Sequence, residues 1–202
     1  MTIVAIISII TILVSIMGFR QEGLFEKLQL NPYQVVHNKD YHRIITHSLL
    51  HADWAHLIIN MIVFFSFGAG LLNSFTVIFG NLAPIIFLAL YVFSVVVSSL
   101  YSIVKNKDNP SYNAIGASGA VSAVIFANIF FSPWQSIYFF GVLPIPGIIF
   151  ALLYLGYSYY MGKKNYDNVG HDAHFFGAVF GLVFPILIKP DLFQFFIQQL
   201  LG

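Results

Sequence analysis

The chain has no cysteine and very little charge: of 202 residues, 8% are charged and 58% are hydrophobic. Without cysteine there are no disulfides, no thiolate metal ligands and no thiol nucleophile. The scarcity of charge excludes an ordinary soluble domain, in which roughly a quarter of the residues are charged. Nine basic and eight acidic side chains leave a net charge of +1, too little basic excess to hold a nucleic-acid backbone, so no nucleic-acid partner is expected. There is no His-Glu-x-x-His run, internal repeat or low-complexity tract. His47 and His51 are four residues apart, but the nearby Asp53 and Asp172 complete no recognised ligand pattern. No metal is therefore expected, and a surface or hydrogen-bonding role suits these histidines better.

What the chain has instead is hydrophobic length. A helix crosses the bilayer hydrocarbon with about 20 apolar residues, and fewer suffice when neighbours shield it. Six segments meet that test, near residues 2–18, 52–72, 82–104, 117–131, 137–161 and 171–188. Residues 1–19 lack the positive n-region and the cleavage site of a secretory signal, so they read as a retained first span. Pro133, Pro144 and Pro146 blur the start of the fifth span, because proline removes a helical donor. Residues 191–201 read as a surface helix.

Three connections, 20–51, 105–115 and 162–170, carry the polar residues, whereas 73–81 and 132–136 carry no charge. The first connection sets Leu24, Phe25, Leu28, Leu30, Tyr33, Val35 and Val36 among its charges, which predicts a loop folded onto the membrane surface. The expected fold is one all-α membrane domain over residues 1–202, a six-helix bundle with a long membrane-associated first loop.

Within these apolar segments stand a few polar side chains, each costly to bury in lipid and therefore a functional candidate. In Gly116-Ala117-Ser118-Gly119 the serine falls at the start of the fourth helix, where unpaired backbone donors point towards developing negative charge. Gly116 and Gly119 clear space for a tight turn and a close helix neighbour. On the sixth span His174, Gly177 and Gly181 share one face, in a small-xxx-small pattern that packs helices closely. A neutral histidine above such a seam can take the proton of a serine hydroxyl near pH 7. His171 lies three residues earlier and can share that face, so spacing leaves both histidines open, with the glycines favouring His174. On the second span His56 and Asn60, four residues apart, can donate to an oxyanion together with the Ser118 amide, although, taken alone, the pair is better explained by an ordinary interhelical hydrogen bond.

His56-x-x-x-Asn60, Gly116-Ala117-Ser118-Gly119 and Ala173-His174-x-x-Gly177-x-x-x-Gly181, in that order and preceded by Arg43, Thr46, His47 and His51, resemble the rhomboid intramembrane serine proteases over roughly residues 43–181. The resemblance implies a six-helix bundle of bacterial type. Ser118 is then the nucleophile, His174 the general base, and His56, Asn60 and the Ser118 amide the oxyanion site, with Gly116, Gly119, Gly177 and Gly181 as structural support and His171 outside catalysis. It implies no cofactor, and transmembrane segments of single-pass proteins in the lipid bilayer as substrates. A bacterial inner membrane, with termini in the cytoplasm and the site opening outside, is the expected setting. Counting Lys and Arg by the positive-inside rule points the other way, because those before the tail all lie in the three polar connections.

This sequence departs from the family at His42, where many relatives have tryptophan, and at Ser122, where many have an aromatic that packs on the histidine. The run Phe67-Gly68-Ala69-Gly70-Leu71-Leu72 also lacks a glutamate often found there. Two other classes remain: a noncatalytic rhomboid-like protein that binds or escorts client helices, and a metalloprotease.

Overall fold

The computed structural model describes residues 2–139, 141–164 and 169–202. Met1, position 140 of the fifth expected span and the middle of connection 162–170 lie outside the described residues.

Helix α1 (Thr2–Arg20) leads into three short helices, α2 (Glu22–Leu28), α3 (Pro32–His37) and α4 (Arg43–Thr46). They occupy the long first connection and are knitted together by backbone carbonyls. Arg43 Nη1 donates to the carbonyls of Glu26 and Gln29 at 2.7 and 2.9 Å, and Thr46 Oγ1 donates to that of Leu28 at 2.8 Å. His42, in place of the family's tryptophan, uses its Nε2–H on the Lys27 carbonyl at 3.1 Å. Asn31 caps α3 through the Gln34 amide and reaches across to the Pro110 carbonyl and Asn113, while Leu30 and Ala114 exchange a backbone bridge. The first connection is therefore fastened to the loop that enters the Ser118 helix.

Asp53 ends the connection as an N-cap, its carboxylate accepting from the His56 amide at 2.8 Å. Helix α5 (Trp54–Phe79) follows, then a tight turn at Gly80–Leu82, then α6 (Ala83–Asn106). The Gly80 φ of +56° is a left-handed value that suits glycine. The chain doubles back there: Phe64 lies against Phe87 and Tyr91, at ring separations of 6.1 and 5.3 Å.

Helix α7 (Ser118–Phe131) is the innermost element, with every residue but Ser118 and Asn128 buried. Its 14 residues are about two-thirds of a bilayer crossing, which is tolerable for a helix wrapped in protein rather than lipid. Asn128 ties it to α5 by donating to the Phe67 carbonyl at 2.9 Å, a contact for which Gly70 leaves room.

The fifth expected span is corrected at its start. Strand β1 (Ser136–Phe139) pairs antiparallel with β2 (Leu143–Pro146), and helix α8 begins only at Gly147, running to Lys164. Pro144 and Pro146 lack the amides that a helix needs. Helix α9 (His171–Ile188) follows, then α10 (Leu192–Leu201), which lays Phe196 flat on Phe130 at 4.8 Å.

Among the described residues, three helical stretches are long and apolar enough to cross a membrane: Thr2–Arg20, Trp54–Asn106 and His171–Ile188. The middle one, 53 residues long, is the α5–α6 pair folded on itself. By length and composition alone the count of six spans is thus not reached. α7 is short, and α8 dilutes its apolar residues with Tyr157, Ser158, Tyr159, Tyr160, Lys163 and Lys164.

Candidate active site

Ser118 opens α7, so its amide and that of Gly119 stand in the first turn, where helix geometry offers no intrahelical acceptor. The preceding turn depends on Gly116, whose φ of +114° disfavours any side chain and whose amide donates to the His47 carbonyl at 3.0 Å. A methyl group added there would also stand 3.1 Å from the His56 imidazole. Gly116 thus lets the loop pass under His56 and deliver Ser118.

Helix α9 packs on α7 at nearly backbone contact. A Cβ at Gly177 would fall 2.8 Å from the Gly119 carbonyl carbon and closer still to its oxygen; one at Gly181 would meet the Ala123 backbone in the same way. Gly119 itself is hemmed in by Ser98 of α6 and the Ala173 carbonyl. One turn above this seam His174 Nε2 lies 2.7 Å from Ser118 Oγ, a hydrogen bond that links side chains 56 positions apart. Both are only partly buried. His171 is buried beside Tyr157, its ring 6.0 Å edge-on to that of His174. Of the two histidines left open by spacing, His174 meets the serine.

His56 faces the same space from α5. The Ala52 amide donates to its Nδ1 at 3.4 Å, which leaves the proton of the neutral ring on Nε2. That nitrogen is on the side towards Gly116 and Ser118. Asn60, one turn below and buried, donates one amide hydrogen to the His56 carbonyl at 2.9 Å. Among the expected residues, His56 therefore lies beside the Gly116 turn that leads into Ser118, while Asn60 spends one donor on its own helix.

Sequence reading misses Tyr154 of α8. Its ring stacks on that of His174, with centroids 6.3 Å apart and planes at 29°, and its hydroxyl lies 2.6 Å from Ser122 Oγ. The only hint in the chain is Ser122 itself, a small hydroxyl where an aromatic is usual.

His47 and His51 are not on the surface. His47 Nδ1 donates to the Arg43 carbonyl at 3.0 Å, and His51 meets Ser15 Oγ at 3.0 Å while standing edge-on to His56. Burial pushes both down to about 4 from 6.5; beside His51, His56 adds to the lowering and Asp53 opposes it. Their folded-state values are depressed, so their contribution to stability is complete above about pH 6.5 and is lost as pH falls towards 4. A thermal unfolding series in detergent should show the melting temperature dropping across that window, and His47→Gln should flatten the slope. A flat wild-type curve would contradict this assignment.

A family model for the Rhomboid domain matches residues 38–190. RHOMBOID-like protein 12, mitochondrial, of Arabidopsis thaliana is 25% identical over 76% of this chain and 48% of its own length. A rhomboid protein of Schizosaccharomyces pombe, also named mitochondrial, is 35% identical over 40% of this chain and 21% of its own length. The chain thus spans about half the length of the first relative and about a fifth of the second. These names correct the expected bacterial inner membrane: both relatives are named mitochondrial. Apolar length reports that a bilayer is crossed but is blind to which one, since bilayers of different organelles differ in thickness by only a few Å. The matched segment contains Ser118, His174, His56 and the glycine seam, and by that match the chain belongs to the rhomboid family.

Proposed function

We propose that the protein is an intramembrane serine endopeptidase that hydrolyses peptide bonds in or near transmembrane segments, with Ser118 as nucleophile and His174 as general base. The observation that carries this reading is the 2.7 Å contact between Ser118 Oγ and His174 Nε2 at the open end of a buried helix. In this mechanism Ser118 Oγ attacks the scissile carbonyl carbon as its proton passes to His174 Nε2. The resulting oxyanion accepts hydrogen bonds from the Ser118 amide, His56 Nε2–H and the second amide hydrogen of Asn60. His174 then gives its proton to the departing amine; a water molecule, deprotonated by the same histidine, attacks the acyl carbon, and His174 returns that proton to Ser118 Oγ as the ester bond breaks.

Residues 1–202 act as one domain in this reading, a six-helix bundle in which α7 and α8 complete the spans supplied by α1, α5, α6 and α9. The partly buried site suits a substrate strand unwound locally, because a fully helical segment keeps its peptide bonds hidden. The names of the relatives suggest a mitochondrial membrane as the setting.

Purified protein in liposomes, offered a panel of single-span substrates, tests the class directly. Cleavage within or beside the apolar segment, blocked by a serine-directed fluorophosphonate and indifferent to a chelator, is the expected result. Absence of cleavage across the panel would favour a client-binding protein, and cleavage lost to a chelator but kept in Ser118→Ala would favour a metalloprotease.

A further inference from the structure

Three helices meet around the Ser118–His174 pair, and a short chain of contacts joins them. Ser122 has one hydroxyl hydrogen, and it is given to the Ser118 carbonyl, one turn back, at 2.8 Å. Its oxygen is therefore left to accept, and the neighbour at 2.6 Å is the Tyr154 hydroxyl. The hydroxyl hydrogen of Tyr154 thus goes to Ser122, while the ring of the phenol stacks on that of His174.

We propose that Tyr154 is a positioning residue for His174: its ring fixes the plane of the imidazole, and Ser122 fixes the ring. The proposal rests on the reading of Ser118 and His174 as the reacting pair. An imidazole on a two-bond stem can rotate away from a hydroxyl 2.7 Å distant, and stacking against a ring held from α7 removes that freedom. The anchor is local to the chemistry, because the same residue, Ser122, also holds the carbonyl of the nucleophile. Further rings extend the support behind it: Phe126 of α7 and Phe150 of α8 lie 5.4 and 5.6 Å from the Tyr154 ring. Tyr154 takes no proton in the reaction, since its own hydrogen is committed to Ser122. A tyrosine serving only to tie α7 to α8 would act through stability alone, and the two roles separate in kinetics.

The test uses the full chain in liposomes, with kcat, KM and melting temperature measured for Tyr154→Phe, Tyr154→Leu, Ser122→Ala and the Ser122→Ala/Tyr154→Phe double variant. Tyr154→Leu removes the ring, and kcat should fall about 100-fold with KM within about twofold, the loss expected for a reacting group displaced by about 1 Å. Tyr154→Phe and Ser122→Ala keep the ring but release it, so each should lower kcat by about three- to tenfold. The double variant should be no worse than Ser122→Ala alone, because that change already breaks the bond to Tyr154. Ser122→Ala leaves no large void, so it remains informative even where Tyr154→Leu does not fold. Wild-type kcat in Tyr154→Leu or in Ser122→Ala, or losses that merely follow the folded fraction, would overturn the positioning role while leaving Ser118 and His174 in place. Failure of the underlying reading looks different: the wild type would then cleave nothing, or its cleavage would persist in Ser118→Ala.

Discussion

Gly177→Ala is expected to disable the protein, although it adds a single methyl group. That methyl has nowhere to go: the atoms it meets are the backbone carbonyl carbon, oxygen and Cα of Gly119, which cannot swing aside as a flexible side chain can. Helix α9 must move away from α7. Overpacking of a close-packed interior costs about 1–3 kcal/mol, and a backbone-to-backbone clash belongs at the upper end. Activity should suffer more than stability, because the displaced helix carries His174 and a shift of about 1 Å is enough to lose the proton transfer. Gly156→Ala is the matched control. Gly156 lies in the exposed face of α8 with nothing within 4 Å of an added Cβ, so alanine there should be neutral or stabilising by up to about 1 kcal/mol through helix propensity. Melting temperature and cleavage rate for the two variants side by side check the seam; equal behaviour would mean that the α7–α9 approach is looser than described.

His174→Ala carries the second large effect. The histidine lies 2.7 Å from the serine hydroxyl as its proposed base, and a hydroxyl without a base is a poor nucleophile near pH 7. In serine proteases, removal of nucleophile or base costs about 10⁶-fold in kcat, and the two losses do not add, since each already disables the same step. His174→Ala, Ser118→Ala and the double variant should therefore share one residual rate, at least 10⁴-fold below wild type. His171→Ala should stay far above it, because the histidine hydrogen-bonded to the serine hydroxyl is His174, with His171 edge-on behind its ring. A His171 variant as inactive as His174→Ala would call for a different proton path.

The parts of the site that repeat along a helix were readable in the chain. His174, Gly177 and Gly181 define a face by spacing alone, and that face is the one that meets Gly119 and Ala123. The serine at a glycine-flanked helix start and the apolar segments themselves were legible for the same reason, local periodicity. Contacts between distant helices were not. Nothing near Tyr154 in sequence marks it out among its neighbouring aromatics, and its role emerges only when α8 lies beside Ser122. Asp53 has the spacing of an N-cap for α5 yet reads as a stray acid until the helix start is seen. The pairing of β1 with β2 hides inside an apolar run, with Pro133, Pro144 and Pro146 as the warning. The identity of the membrane leaves no trace in apolar length, which explains why the relatives alone corrected it.

The most direct measurement of an activated hydroxyl is intact-mass analysis after exposure to a fluorophosphonate probe, comparing wild type with Ser118→Ala. If His174 activates Ser118, the wild type gains one adduct that peptide mapping assigns to Ser118, and the variant gains none. An unmodified wild type, or an adduct that persists in Ser118→Ala, would contradict the proposed pair.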